Sequence, residues 1–395
     1  MWHVPIELHE ASLRLMRRIM HFILLLPPRP LRYLKFLYMI VLFVYLGFIV
    51  NWRISFNYHV VYDIKLDQFS RIIDVLNYLA LITCHIVVAM ELLWKNRGEE
   101  IEQQLEKIRF LLRVQFGYKV NLLTIRRYCQ GIYGSLFLRC LLLMGMTIYN
   151  NMVTDVSLLL YYNFYSEMVL LTRISEFSLY SALILAFYQE LHEVSLNLFL
   201  ELERTRSEIW SVQRVSLERL STLWQLHGLL WNTIRSIECN FELSVITVTL
   251  KLFVDIFVLP YWIFINLLNQ TNTSVVHYCI AEELCKFLEV LVPCLIWNRC
   301  ELVQRQIRSI FHSLNTDRSD VQLNSYLLRI STHLGQESCQ FSAGGFLVIN
   351  NETLGKFIFG MASYIVICIQ FRMTLLAKSP TDAVETVTVT VATDA

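Results

Sequence analysis

Seven stretches of this chain are long and apolar enough to cross a bilayer, and nothing else in the sequence constrains the fold as strongly. They cover residues 34–50, 72–94, 132–149, 164–187, 243–268, 275–297 and 354–376. A spanning helix needs about 20 apolar residues, so the first and third lie near the short end. In hydrocarbon every backbone polar group must be paired within the spanning structure, and runs of this length do that as helices. The expected fold class is all-α, a seven-transmembrane helical membrane protein. Composition agrees: 55% of the 395 residues are hydrophobic and 17% charged, against about 25% charged in soluble domains. A net charge of +1 gives no field for nucleic acid or acidic substrates. The ten cysteines form no CxxC pair and no Cys/His spacing suited to zinc. Neither metal nor cofactor is expected.

Basic residues orient the bundle. Arg14, Arg17, Arg18, Arg29 and Arg32 precede the first run, and Lys95 to Arg127 carry eight Lys or Arg between the second and third. Arg204, Arg206, Arg214, Arg219 and Arg235 lie between the fourth and fifth, and Arg299 to Arg329 supply five more between the sixth and seventh. The opposite side holds only Arg53, Lys65, Arg71, Arg372 and Lys378. The N-terminus is therefore expected in the cytoplasm and the C-terminus outside. On this topology Asn269 and Asn272, each in an Asn-x-Ser/Thr sequon, fall in an outer loop and are candidate glycosylation sites, whereas Asn351 falls inside. No Gly/Ser-rich or Pro-rich linker divides the chain. Residues 1–376 read as one domain and 377–395 as a polar extracellular tail.

The stretch "SLRLMRRIMHFILLLPPRP" imitates a secretory signal, but Pro27, Pro28 and Pro30 stand where small cleavage-site residues belong. It reads instead as an amphipathic cytoplasmic helix lying on the membrane. The cytoplasmic loops are helical too. Leu217, Leu220, Trp224, His227, Trp231 and Ile234 recur at steps of three and four, as do Ile101, Leu105, Ile108 and Leu112, and Leu323, Leu327, Ile330 and Leu334. Spans two, four and six are expected to continue below the membrane as helices that pack together, with the Trp224/Trp231 seam holding subunits to one another. His227 on that seam reads as a packed histidine.

Charges also fall inside or at the edges of the spans: Arg139, Arg173, Glu176, Lys251, Asp255, Glu282, Glu283, Lys286 and Glu289. Such groups face protein or water. Local i,i+4 pairs, Lys251 with Asp255 and Glu282 with Lys286, are one reading; a hydrated cavity between spans three to six is the other. Aromatics near its outer end, among them Tyr161, Tyr165, Phe257, Tyr261 and Trp262, line a ligand pocket on the second reading and an interfacial belt on the first. In the last span Gly360, Ser363, Ile367, Gln370 and Thr374 share one helical face. A small and polar stripe in a membrane either packs against another helix or lines water. Gln370 is hard to place in lipid, where its amide would go unpaired.

The segment around it, "GMASYIVICIQF", resembles the signature of insect gustatory receptors: threonine-tyrosine, five apolar residues, glutamine-phenylalanine. Here it reads Ser363, Tyr364, 365–369, Gln370, Phe371, with serine keeping the hydroxyl. The preceding "HLGQESCQFSAGGFLVINNETL" is similar to that family's approach to the last helix. The resemblance implies a subunit of a tetrameric, ligand-gated, non-selective cation channel in the plasma membrane of chemosensory neurons. Its partners would be a small-molecule tastant, membrane lipids and like subunits, in a homo- or hetero-tetramer. Gln370, Phe371, Ser363 and Ile367 would line the pore, and Tyr364 would pack sideways against a neighbouring helix. Sugar-sensing members carry glutamate after the motif tyrosine; Ile365 here points to bitter or other non-sugar compounds. An insect odorant-receptor-like channel subunit is the closest rival. A G-protein-coupled receptor needs the opposite orientation, and a secondary transporter would show inverted repeats. An enzyme would need a compact catalytic set, and none is apparent.

Overall fold

The computed structural model describes residues 8–22, 35–63, 68–117, 122–153, 157–204, 210–269, 273–313, 321–337, 339–367 and 369–370. Its helices are α1 (Leu8–Phe22), α2 (Lys35–Asp63), α3 (Gln68–Trp94), α4 (Gly98–Phe116), α5 (Leu122–Val153), α6 (Ser157–Arg204), α7 (Trp210–Asn269), α8 (Thr273–Ser313) and α9 (Val321–Gln336). A last helix, α10, covers 351–367 and continues at 369–370. Strands β1 (Ser342–Ala343) and β2 (Leu347–Val348) pair antiparallel just before it. The described part of each of the seven apolar runs falls on a helix: α2, α3, α5, α6, α7, α8 and α10. Among the described residues, Val75–Trp94, Phe164–Glu203 and Glu218–Tyr261 are long and apolar enough to span by composition alone. Helix α8 is not, because Glu282, Glu283, Lys286 and Glu289 interrupt its apolar run.

Helix α6 is the centre of the bundle. From Ser166 to Leu191 every side chain except Met168 and Gln189 is buried, and the helix packs against α3, α5, α7 and α8. An aromatic knot of Phe177, Phe241, Trp297 and Phe341 ties α6, α7 and α8 to the chain entering α10. Its ring centroids are 4.6 Å apart for Phe177–Phe341, 5.5 Å for Phe177–Phe241 and 5.5 Å for Trp297–Phe341.

Three expectations need correction or refinement. The first concerns span two, which does not run on as one helix. Helix α3 stops at Trp94, where Asn96 Oδ1 accepts the Gly98 N–H at 3.0 Å and Asn240 Oδ1 accepts the Arg97 N–H at 2.8 Å. Glu99 and Glu100 then open α4 with the charge its N-terminus favours. Its buried face of Ile101, Leu105, Ile108 and Leu112 packs on α7. Spans four and six do continue, as α6 and α8. The second concerns the seam of α7. Leu220, His227 and Ile234 are buried within a single chain, and Trp224 packs on His333 of α9 with ring centroids 5.4 Å apart. The inner face of the seam is intramolecular core, while Trp224 and Trp231 are only half-buried on the single chain. The third concerns α1, which rests on protein instead of lipid. Leu13, Met16 and Met20 are buried, Tyr133 of α5 donates to the Ser12 carbonyl at 2.5 Å, and Arg17 pairs with Glu102 at 2.6 Å.

The β-turn before α10 requires glycine at Gly344. Its φ is +60°, and a Cβ there would sit 3.1 Å from Glu242 Oε1 and 3.2 Å from the Ile246 side chain. Asn350 then starts α10 by accepting the Thr353 N–H at 2.9 Å.

Candidate functional site

Helix α10 carries the stripe singled out in the sequence, and the outer part of that stripe is exposed on the single chain. Among the described residues of 351–370 only Leu354 is buried. A Cβ on Gly360 would meet nothing within 4 Å. Ser363 is half-buried, Gln370 exposed, and Ile367 60% exposed. Close intramolecular packing therefore does not explain the small residues. Phe371 lies outside the described residues. Tyr364, on a different face, meets Phe257 of α7 edge to face at 4.5 Å, and Phe257 in turn meets Phe253 at 4.6 Å.

Of the five outer aromatics, Tyr165 and Phe257 make different contacts. Tyr165 of α6 lies against Tyr45 of α2 at 6.1 Å and His85 of α3 at 5.2 Å. Phe257 belongs instead to the contact with α10. Tyr261 is half-buried on α7. The side chains of Tyr161 and Trp262, and that of Asn269 at the end of α7, lie outside the described residues, as does Asn272 altogether. His85 is fully buried, with Nδ1 3.0 Å from Ser166 Oγ.

The interior charges are knitted between helices. Lys251 bonds Asp255 within α7, as the spacing suggests. Lys286 of α8 bonds Glu167 of α6 instead of its neighbour Glu282. Cross-pairs at 3.8 Å, Lys251–Glu167 and Lys286–Asp255, close a four-membered ring. Arg139 of α5 lies 3.3 Å from Glu289 of α8. The third cluster centres on Arg173, which donates to Glu176 at 2.6 Å, Glu91 at 3.1 Å, Ser244 at 3.2 Å and the Asn240 carbonyl at 2.5 Å. Its guanidinium carbon sits 3.9 Å over the Phe241 ring. Buried charge is tolerated only when paired and hydrogen-bonded, and the Arg173 cluster meets that condition helix to helix.

On the side assigned to the cytoplasm, His227 Nδ1 lies 3.2 Å from Glu337 Oε2 and His333 Nδ1 lies 3.5 Å from Glu337 Oε1. The hydrogen-bonding contact with His227 holds the Glu337 carboxyl below its ordinary value. Partial burial opposes this, and the charges of both histidines add to it.

Residues 13–375 match the family described as 7tm Chemosensory receptor. The chain is also 44% identical over 372 residues to the Drosophila melanogaster protein named "Putative gustatory receptor 98a", covering 94% of each. The chain belongs to the 7tm chemosensory receptor family. Its fold is similar to that of the insect olfactory receptor OR5 from Machilis hrabei, with a TM-score of 0.62 at 14% identity, over 91% of this chain and 100% of that one. The same olfactory receptor solved in complex with eugenol gives 0.60 at 14% identity, over 92% and 99%.

In this chemosensory receptor two structural carboxylates escape a reading of the sequence. Glu91 sits near the end of an apolar run, and its partner Arg173 is 82 residues away. Glu167 stands alone on its helix until folding brings Lys251 and Lys286 to it. Periodicity reports only partners on the same helix, so neither residue leaves a local signal.

Proposed function

We propose that this chain is a subunit of a ligand-gated, non-selective cation channel that detects tastants, bitter or other non-sugar compounds in preference to sugars. It sits in the plasma membrane with seven spans, the N-terminus in the cytoplasm and the C-terminus outside. Four subunits bring their α10 helices around one axis, and Ser363, Ile367, Gln370 and Phe371 line the pore. The observation that carries this reading is the stripe on α10, where Ile367 and Gln370 are exposed on the single chain and a Cβ on Gly360 would meet nothing within 4 Å. At a constriction the Gln370 amide meets water and its symmetry mates, so its hydrogen bonds are satisfied. Family membership and the likeness to an insect olfactory receptor fold support the same class. Tyr165, Phe257 and Tyr261, with Tyr161 and Trp262, are the proposed contacts for a small molecule in the outer half. That an olfactory receptor of similar fold was solved with eugenol suits a small organic ligand.

The test is ion selectivity. Cells expressing the chain with candidate partner subunits are screened with bitter compounds and sugars. Gln370→Glu places a ring of negative charge at the constriction and should shift the reversal potential toward the more permeant divalent cation. An evoked current with unaltered selectivity removes Gln370 from the pore.

A further inference from the structure

Helix α7 has 60 residues, ~90 Å at 1.5 Å per residue. Within it, three backbone groups between Asn240 and Ser244 are bonded to side chains of other helices. The Leu243 N–H donates to Glu91 Oε1 at 2.8 Å, and the Ser244 N–H donates to Glu91 Oε2 at 3.1 Å. Arg173 donates to the Asn240 carbonyl at 2.5 Å. A side chain inserted into the i→i−4 ladder is a recognised cause of helix bending. Here two inserted side chains, one from α3 and one from α6, are also paired with each other at 3.1 Å.

The same few residues touch two other junctions. On one side Asn240 Oδ1 takes the Arg97 N–H at the α3–α4 break, and Lys95 lies 3.6 Å from Glu242. On the other, Glu238 accepts the Ser342 N–H of β1 at 2.8 Å, and Gly344 presses against Glu242 and Ile246. That hairpin leads directly into α10.

We propose that residues 240–244 are a joint in α7, braced by Glu91 and Arg173, that passes displacements of α3 and α6 to the β1–β2 hairpin and so to α10. The last step rests on the reading of α10 as the pore helix; the joint itself does not. A buried ion pair adds little stability over a well-packed apolar pair, but this one also grips three backbone groups of α7 and so ties that segment to α3 and α6. Glu91 meets four donors: the Leu243 N–H at Oε1, and the Ser244 N–H, the Ser244 hydroxyl and Arg173 at Oε2. Glutamine has one acceptor oxygen and cannot replace it.

The experiment is hydrogen–deuterium exchange on the purified full-length chain in nanodiscs, which needs neither a tastant nor a current, so failure of the channel reading leaves it intact. Glu91→Gln should speed exchange in 239–246 about tenfold and in 339–349 about threefold, while 177–188 of α6 stays unchanged. Ser244→Ala, which deletes the hydroxyl that donates to Glu91 and accepts from Arg173 but keeps the backbone bonds, should give the same pattern at about threefold in 239–246 and covers the case in which Glu91→Gln does not fold. Unchanged exchange in 239–246, or an equal rise in α6, overturns the joint. A rise in 239–246 with none in 339–349 overturns the transmission.

Discussion

Helices α6 and α10 draw on the same apolar residues and end in opposite surroundings. Helix α6 buries nearly every side chain from Ser166 to Leu191, and its charges Glu167, Arg173 and Glu176 are all met by this chain's own side chains. Helix α10 buries only Leu354 among its described residues and leaves Phe359 at 76% and Ile367 at 60% exposure. The difference separates two uses of a polar group in a membrane helix. On α6 it fixes how helices of one chain sit together. On α10 it stands at the surface of the single chain, where Gln370 is exposed. Substitutions on the two helices should therefore act on different observables.

The largest effect is expected at Arg173. Arg173→Leu strands Glu91 and Glu176 in the interior and should cost about 3–5 kcal/mol, read as loss of monodisperse protein and a lowered melting temperature. Adding Glu91→Leu should recover part of that loss. Gln370→Leu should leave stability within about 0.5 kcal/mol. Equal destabilisation by Arg173→Leu and Gln370→Leu would erase the contrast between the helices.

A smaller effect is expected where α10 does touch its own chain. The Tyr364–Phe257 contact has edge-to-face geometry at 88°, worth about 0.5–1.5 kcal/mol beyond area burial. A double-mutant cycle with Tyr364→Leu and Phe257→Leu should return a coupling of that size in thermal melts, and a coupling near zero would detach α10 from α7.

The smallest effect lies at Glu337, outside both helices. Because its carboxyl is held below the ordinary value of 4.5, its contribution is fully present above that value and is lost as pH falls through the depressed one. The difference in melting temperature between the wild type and Glu337→Gln should shrink as pH falls below 4.5. A difference independent of pH would show that the histidine contact contributes nothing.

Much of this was legible in the sequence because helices report their own faces. The positions of the apolar runs, the α4 face from Ile101 to Leu112 and the Lys251–Asp255 pair all follow from spacing within one helix. What was not legible depends on partners distant in sequence. The break after Trp94 needs Asn240 to receive the Arg97 N–H. The Lys286–Glu167 bond needs α6 beside α8. That Leu220, His227 and Ile234 of the α7 seam are buried within the one chain could not be read either, since periodicity does not say whose helix fills a groove. Of the candidate site, the α10 stripe was visible as a pattern, whereas the different contacts of Tyr165 and Phe257 were not.

The central claim is that the α10 stripe faces water in a channel, and the most direct measurement of it is thiol accessibility at position 370. Gln370→Cys channels are expressed with partner subunits and exposed to a membrane-impermeant, charged methanethiosulfonate reagent from outside, with and without an activating compound. A pore-lining position predicts irreversible modification that changes the current, faster in the open state. Channels that open normally while the reagent has no effect in either state would contradict the assignment.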